Sequence, residues 1–103
     1  MSRLFVSILF LWSFSIHAQD ISRGERLYQS CISCHGVAGE GNPEERAPMI
    51  AGQFDWYIVT SLNDFKSKQR SNPDMDPYIT DLTEQDFKDL AAYISTLNPF
   101  SEN

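Results

Sequence analysis

An all-α fold is predicted by three features of the chain. Phe54, Ile58, Leu62 and Phe65 recur at spacings of four, four and three, and Phe87, Leu90, Ala91, Ile94 and Leu97 form a second stripe of the same kind. Such spacing gathers side chains on one face of a helix. Capping residues stand where the first and last predicted helices would begin, Ser22 and Thr83. No segment alternates apolar and polar residues at the period of two that a half-buried strand requires.

In chain order, Arg3 precedes an apolar run from Leu4 to Ile16, interrupted by Ser7, Ser13 and Ser15 and closing on Ala18. A basic start, an apolar run too short to span a bilayer comfortably and a terminal small residue are the parts of a secretory signal peptide. Residues 1–18 are therefore expected to be removed on export to the periplasm. Ile16 stands where a small residue is usual before a cut, so an uncleaved membrane anchor is the competing reading. After cleavage no membrane span is expected. Gln19 to Asn103, 85 residues, is the length of one small domain. A domain of that size is marginal on side-chain burial alone and usually needs a staple.

Ser22 is placed to cap a first helix from Arg23 to Cys31, with Leu27 and Tyr28 for apolar contact and Gly24 for close approach by another helix. From Gly36 to Pro48 the chain is rich in Gly, Glu and Pro and has no helical period, which predicts a loop. A second helix is expected from Gln53 to Lys66, its apolar stripe widened by Trp56 and Tyr57. Pro73 and Pro77 then push the residues before them towards extended backbone, breaking regular structure from Ser71 to Pro77. Thr83 and Asp86 make a capping-box start for the last helix, which Pro99 ends.

Both cysteines fall in Cys31-Ile32-Ser33-Cys34-His35. This C-x-x-C-H run reads as a covalent c-type haem attachment site. Two thiols a helical turn apart can form thioethers with two vinyl groups of one porphyrin, and the adjoining imidazole can ligate its iron. One covalently bound haem c would also supply the missing staple. A redox dithiol wants a thioredoxin-like context, and a zinc site wants a second ligand pair. Neither is present, since the other histidine, His17, lies in the leader. A disulfide across two intervening residues would close too short a loop to staple the domain.

A haem bound by His35 leaves the opposite iron position to be assigned, and a methionine thioether there gives an electron-transfer centre of raised potential. Met75 sits between Asp74 and Asp76 in a proline-framed loop, where a methionine has little reason to pack in an ordinary core. Met49 is the other candidate. The 14 residues that separate it from His35 span about 46 Å when extended, so reach does not exclude it. Tyr57, Trp56 and Arg70 carry donors suited to haem propionates.

Lys and Arg number 8 against 14 Asp and Glu, and loss of Arg3 with the leader leaves seven against fourteen, a net charge of −7. Nucleic acid is an unsuitable partner for such a chain. The acidity either keeps the protein soluble or steers it to a partner with a basic docking patch.

These residues together resemble the small class I bacterial cytochromes c, nearest to the single-haem domains of the cytochrome c4 and c553 kind. The resemblance runs from Gly24 and Tyr28 through the pentapeptide and Gly36, and through Pro48-Met49-Ile50-Ala51-Gly52-Gln53 to Tyr57 and Leu62. It continues through Phe65, Arg70 and Met75 to Leu82-Thr83-Glu84-Gln85-Asp86 and Leu90-Ala91-Ala92-Tyr93-Ile94. It implies a cytochrome c domain over residues 19–103, with helices wrapped around one haem. It implies that His35 and Met75 are the iron ligands and that Met49 is not. It implies that the Pro48 carbonyl accepts a hydrogen bond from the ligating imidazole, and that Gly24 and Tyr93 belong to a crossing of the first and last helices. The tandem domain typical of cytochrome c4 is absent here, which leads us to expect one electron per molecule.

What the resemblance implies for function is a periplasmic monohaem electron carrier, not an enzyme, working as a monomer between redox partner proteins. A subunit of a larger oxidoreductase complex is the alternative. A haem enzyme or gas sensor with an open iron site is a third reading.

Overall fold

The computed structural model describes residues 3–11 and 19–101, and among them regular structure is helical apart from one bridge between Asn42 and Ala47. The elements are α1 (Ile21–Tyr28), a 3-10 turn (Gln29–Cys31), α2 (Ile32–His35), α3 (Asp55–Lys66), α4 (Asp76–Ile79) and α5 (Glu84–Thr96). The apolar run from Leu4 to Leu11 has no regular structure, and its large side chains are exposed. His17 and the expected cut after Ala18 lie outside the described residues. No helix among the described residues is long and apolar enough to cross a membrane.

The first helix starts earlier than its sequence signal. Asp20, not Ser22, is the cap: its backbone is extended and its carboxylate accepts from the Arg23 N–H at 3.0 Å. Ser22 lies inside α1 instead. A carboxylate at this end satisfies an orphan N–H and also complements the helix dipole, an advantage serine lacks.

Packing of α1 across α5 organises the domain. Gly24 sits where a Cβ would fall 2.0 Å from the Asp89 carbonyl oxygen and 2.9 Å from the Tyr93 Cβ. Only glycine allows the two backbones to come this close. One turn further along, the Tyr28 and Tyr93 rings meet tilted, 5.4 Å between centroids. Arg23 adds an ion-pair clamp to the crossing. Its guanidinium pairs with Asp86 and, at 2.9 Å, with Asp89, whose other oxygen accepts from the Asp20 N–H and the Gln85 amide, each at 2.9 Å. Burial pushes both carboxyls up, but donated hydrogen bonds outweigh it and hold them below their ordinary value: Thr83 and Arg23 act on Asp86, and Asp20, Arg23 and Gln85 on Asp89.

The capping box of α5 forms as expected, with Thr83 and Asp86 bonding each other's backbone N–H groups. Its apolar face supplies the fully buried Phe87 and Leu90, which join Tyr28 from α1, Ile58 and Leu62 from α3 and Ile79 from α4 in one core.

Two further expectations are corrected. The second helix begins at Asp55 rather than Gln53, so Phe54 occupies its cap position, 69 % exposed, outside the apolar stripe it was assigned to. It stacks on the exposed Trp56, whose other contact is edge-on with Tyr57. The Ser71–Pro77 segment is also not wholly irregular, because α4 opens at Asp76 with Pro77 in its first turn. There the N–H that proline lacks has no intrahelical partner anyway, and its fixed φ already suits a helix.

Candidate functional site

The pentapeptide folds as helix. Cys31 ends the 3-10 turn and Cys34 lies in α2, so the two thiols, three residues apart, share one helical face. Both are free and part-buried. Burial pushes the Cys31 thiol above its ordinary value, the opposite of the depressed value that makes a redox dithiol reactive.

His35 is the last residue of α2, and its side chain is buried. Its Nδ1 lies 2.9 Å from the Pro48 carbonyl oxygen. A carbonyl can only accept, so Nδ1 carries the proton and the Nε2 lone pair is left for a metal. The loop between these residues is built to place that carbonyl. The His35 carbonyl accepts from the Gly41 N–H at 2.8 Å, and Asn42 and Ala47 exchange backbone bonds of 2.9 and 3.0 Å that reverse the chain. Gly41 has φ +81°, and a Cβ there would come within 2.6 Å of the Met49 nitrogen and 2.8 Å of the Pro48 carbonyl carbon. On the helix side, the Tyr28 hydroxyl donates to the Gly36 carbonyl at 2.5 Å, and burial pushes that phenol up to about 12. The motif is thus held from both ends.

A cavity of about 480 Å³ opens beside it, within the size range of small-molecule and cofactor sites. Cys34 and Arg46 line it from the attachment segment and its loop, and Pro73, Asp74, Pro77 and Tyr78 line it from the segment around Met75. It therefore lies between the immediate neighbours of both candidate ligands. Met75 is part-buried against the core, and its turn is fixed by Asn72, whose carbonyl accepts from the N–H groups of Met75 at 3.0 Å and Asp76 at 3.1 Å. Met49 is 48 % exposed beside Pro48.

The donor set fits a covalently held iron porphyrin. It offers two free thiols on one helical face, an imidazole with only Nε2 available, and the part-buried Met75 in the segment whose residues Pro73, Asp74 and Pro77 line the cavity beside Cys34. Among the described residues no cluster of three or more His, Cys, Asp and Glu could hold a metal ion without such a ring.

Of the side chains expected at the propionates, Tyr57 is 45 % exposed on α3 and Trp56 lies beside it on the surface. Arg70 is placed over the Phe65 ring, 4.5 Å from its centroid, and its guanidinium donates to the Ser61 hydroxyl at 3.4 Å. Arg46, which the sequence did not single out, is the cationic side chain that reaches the cavity wall. Its only advance signal was its place between glutamates and Pro48 in the glycine-rich loop.

Residues 21–98 match the family described as Cytochrome c. Cytochrome c4 of Pseudomonas aeruginosa is 32% identical over 99 residues, covering 93% of this chain and 49% of that protein. Cytochrome c-554(548) of Halomonas halodenitrificans is 32% identical over 82 residues, covering 77% of this chain and 98% of that protein. Among solved structures, a thiosulfate dehydrogenase from Marichromatium purpuratum is similar with a TM-score of 0.73 and 31% identity, over 77% of this chain and 19% of that one. The chain spans about half the length of the Pseudomonas cytochrome c4 it matches.

Proposed function

The chain belongs to the cytochrome c family, with covalently bound haem c as its cofactor, and from that premise we propose that it carries single electrons between redox partner proteins. The bound haem supplies a ferrous/ferric couple; everything else is done by the side chains around it. Cys31 and Cys34 would hold the ring through thioethers. His35 Nε2 and the Met75 sulfur would be the protein ligands to the iron, and a site held by two fixed side chains would exchange an electron with little rearrangement. Tyr57 and Arg70 are kept in this reading as donors suited to the propionates, although Arg46, and neither of them, lines the cavity beside Cys34.

The observation that carries this reading is the 2.9 Å contact from His35 Nδ1 to the Pro48 carbonyl. It fixes tautomer and ring orientation before any metal is considered, as a backbone acceptor does for metal-bound histidines in general.

Residues 1–18 act as an export signal in this reading, and the domain from residue 19 works in the periplasm as a monomer. Its acidic excess suits partners with basic docking surfaces. A second reading is favoured by the Marichromatium enzyme, in which a similar fold makes up part of a larger oxidoreductase chain. There the domain would receive or deliver electrons inside an assembly rather than diffuse.

The test is made on protein exported together with a haem-maturation system. Haem should survive acid-acetone extraction and denaturing electrophoresis, and should be lost when Cys31→Ser and Cys34→Ser are combined. The ferrous protein should resist carbon monoxide. Ready binding of carbon monoxide at rest would replace the carrier by an open-site enzyme or gas sensor. Co-purification of a stoichiometric partner would favour the assembly over the free shuttle.

A further inference from the structure

We infer that Lys68 is a positioning residue for the Met75 sulfur, acting as an ion-pair latch that fastens the Met75 turn to the end of α3. The inference rests on the proposed ligation by Met75. Its starting point is a residue in the wrong place. Lys68 follows the helix cap Ser67 with φ +66°, the left-handed position where a helix end favours glycine. A lysine there carries a backbone cost that glycine would avoid, so its side chain must return something.

What it returns is a bond of 2.7 Å from Nζ to Asp76 Oδ2. Asp76 is covalently next to Met75 and opens α4, so the pair closes the base of the segment that presents the sulfur. The other Asp76 oxygen, Oδ1, is buried and has no hydrogen-bond partner among the described residues. Without Lys68 neither oxygen of this part-buried carboxylate would be compensated, and removing one partner of such a pair costs more than the pair itself contributes. Lys66 cannot substitute, because its ammonium is turned to the Leu82 carbonyl. Inside the turn, Asn72 holds Met75 and Asp76 by backbone bonds alone. Lys68 therefore supplies the side-chain tie between this turn and the helical scaffold. Release of the latch would let the carboxylate swing towards solvent and take the neighbouring sulfur with it.

The test uses the haem-loaded protein and compares Lys68→Gly, Lys68→Arg and Met75→Ala with the parent. Two readouts are taken: thermal unfolding, and spectroscopic titration of the ferric form with imidazole, which competes with the sulfur for iron. Glycine relieves the backbone while removing the cation, two effects that oppose each other, so the unfolding temperature of Lys68→Gly should stay close to that of the parent. Its apparent imidazole affinity should nevertheless rise roughly two- to fivefold, the range that a surface ion pair of this kind governs. Lys68→Arg should restore the parent affinity. Added salt should raise the affinity of the parent and leave Lys68→Gly flat, because only the parent has an ion pair to screen. An affinity unchanged in Lys68→Gly, or one that rises only alongside a general loss of stability, overturns the inference. If Met75→Ala binds imidazole no better than the parent, the ligand assignment fails, and the positioning role fails with it.

Discussion

His35 Nδ1 and the Pro48 carbonyl oxygen meet at 2.9 Å because Gly41 lets the returning loop pass within contact of the Pro48 backbone. The relationship links a turn glycine to the electronics of the proposed iron ligand. A proton held on Nδ1 by an acceptor makes Nε2 a stronger donor and favours the ferric state.

Gly41→Ala should therefore raise the reduction potential. The new Cβ meets backbone at 2.6 and 2.8 Å, and φ +81° disfavours any side chain, so the loop must shift and the Pro48 carbonyl with it. Potentiometric titration of the haem-loaded variant is the measurement, with an expected stability loss of about 1–3 kcal/mol alongside it. A potential equal to that of the parent would show that the loop moves without disturbing the histidine.

The helix crossing yields a stability prediction. Gly24→Ala puts a methyl group 2.0 Å from the Asp89 carbonyl oxygen, a backbone atom that cannot turn aside as a flexible side chain could. The intrinsic helix preference of Ala over Gly, about 1 kcal/mol, works in the opposite direction. Overpacking of this kind typically costs about 1–3 kcal/mol, and here the clash is with main chain, so a net loss is expected in denaturant unfolding. A more stable variant would mean that α1 and α5 can separate freely.

Acid sensitivity follows from the clamp at the same crossing. Asp86 and Asp89 are held below their ordinary value of 3.8 in the folded chain. A carboxyl depressed by folding contributes stability that is fully present above its unfolded value and is lost as pH falls through its folded value. The unfolding temperature should be level with respect to these groups from neutrality down to about pH 4 and should fall below that. Asp89→Asn should flatten the acid limb and lower stability at neutral pH, since Arg23 and the Asp20 N–H then lose a charged acceptor. An acid limb of the same steepness in that variant would assign it to other carboxyls.

How legible each feature was depended on how far apart its parts lie in the chain. Thr83 and Asp86 are three residues apart and were readable as a capping box, because both partners are local. Arg23 and Asp89 are 66 residues apart, and nothing in either neighbourhood announces the other. The haem motif was plain because its chemistry demands adjacent residues. The Pro48 carbonyl is a backbone group with no residue-type signal, so only the resemblance pointed to it. Phe54 fitted the helical period but stands at the cap, since periodicity does not mark where a helix begins. Pro77 illustrates the reverse case: the steric rule for the residue before a proline is a bias, and the favourable first-turn position overrode it at Asp76.

The last prediction separates the two sulfurs that could face His35. Met75 lies part-buried against the core, in a turn closed by Asn72 and next to residues that line the cavity beside Cys34. Met49 follows the residue whose carbonyl already holds the imidazole from the Nδ1 side, and half of it faces solvent. The Met49 backbone thus starts beside the residue that bonds Nδ1, whereas the proposed iron ligand is Nε2. Met75→Ala should lower the reduction potential, abolish the weak sulfur-to-iron charge-transfer band of the ferric form and admit carbon monoxide to the ferrous form. Met49→Ala should leave all three unchanged and cost about 1 kcal/mol or less, as expected for truncating a half-exposed side chain. Spectra of the two variants, recorded in both oxidation states, decide the matter. Loss of the band in Met49→Ala with its retention in Met75→Ala would move the second ligand to the glycine-rich loop, and would leave the turn from Asn72 to Asp76 with no role at the iron.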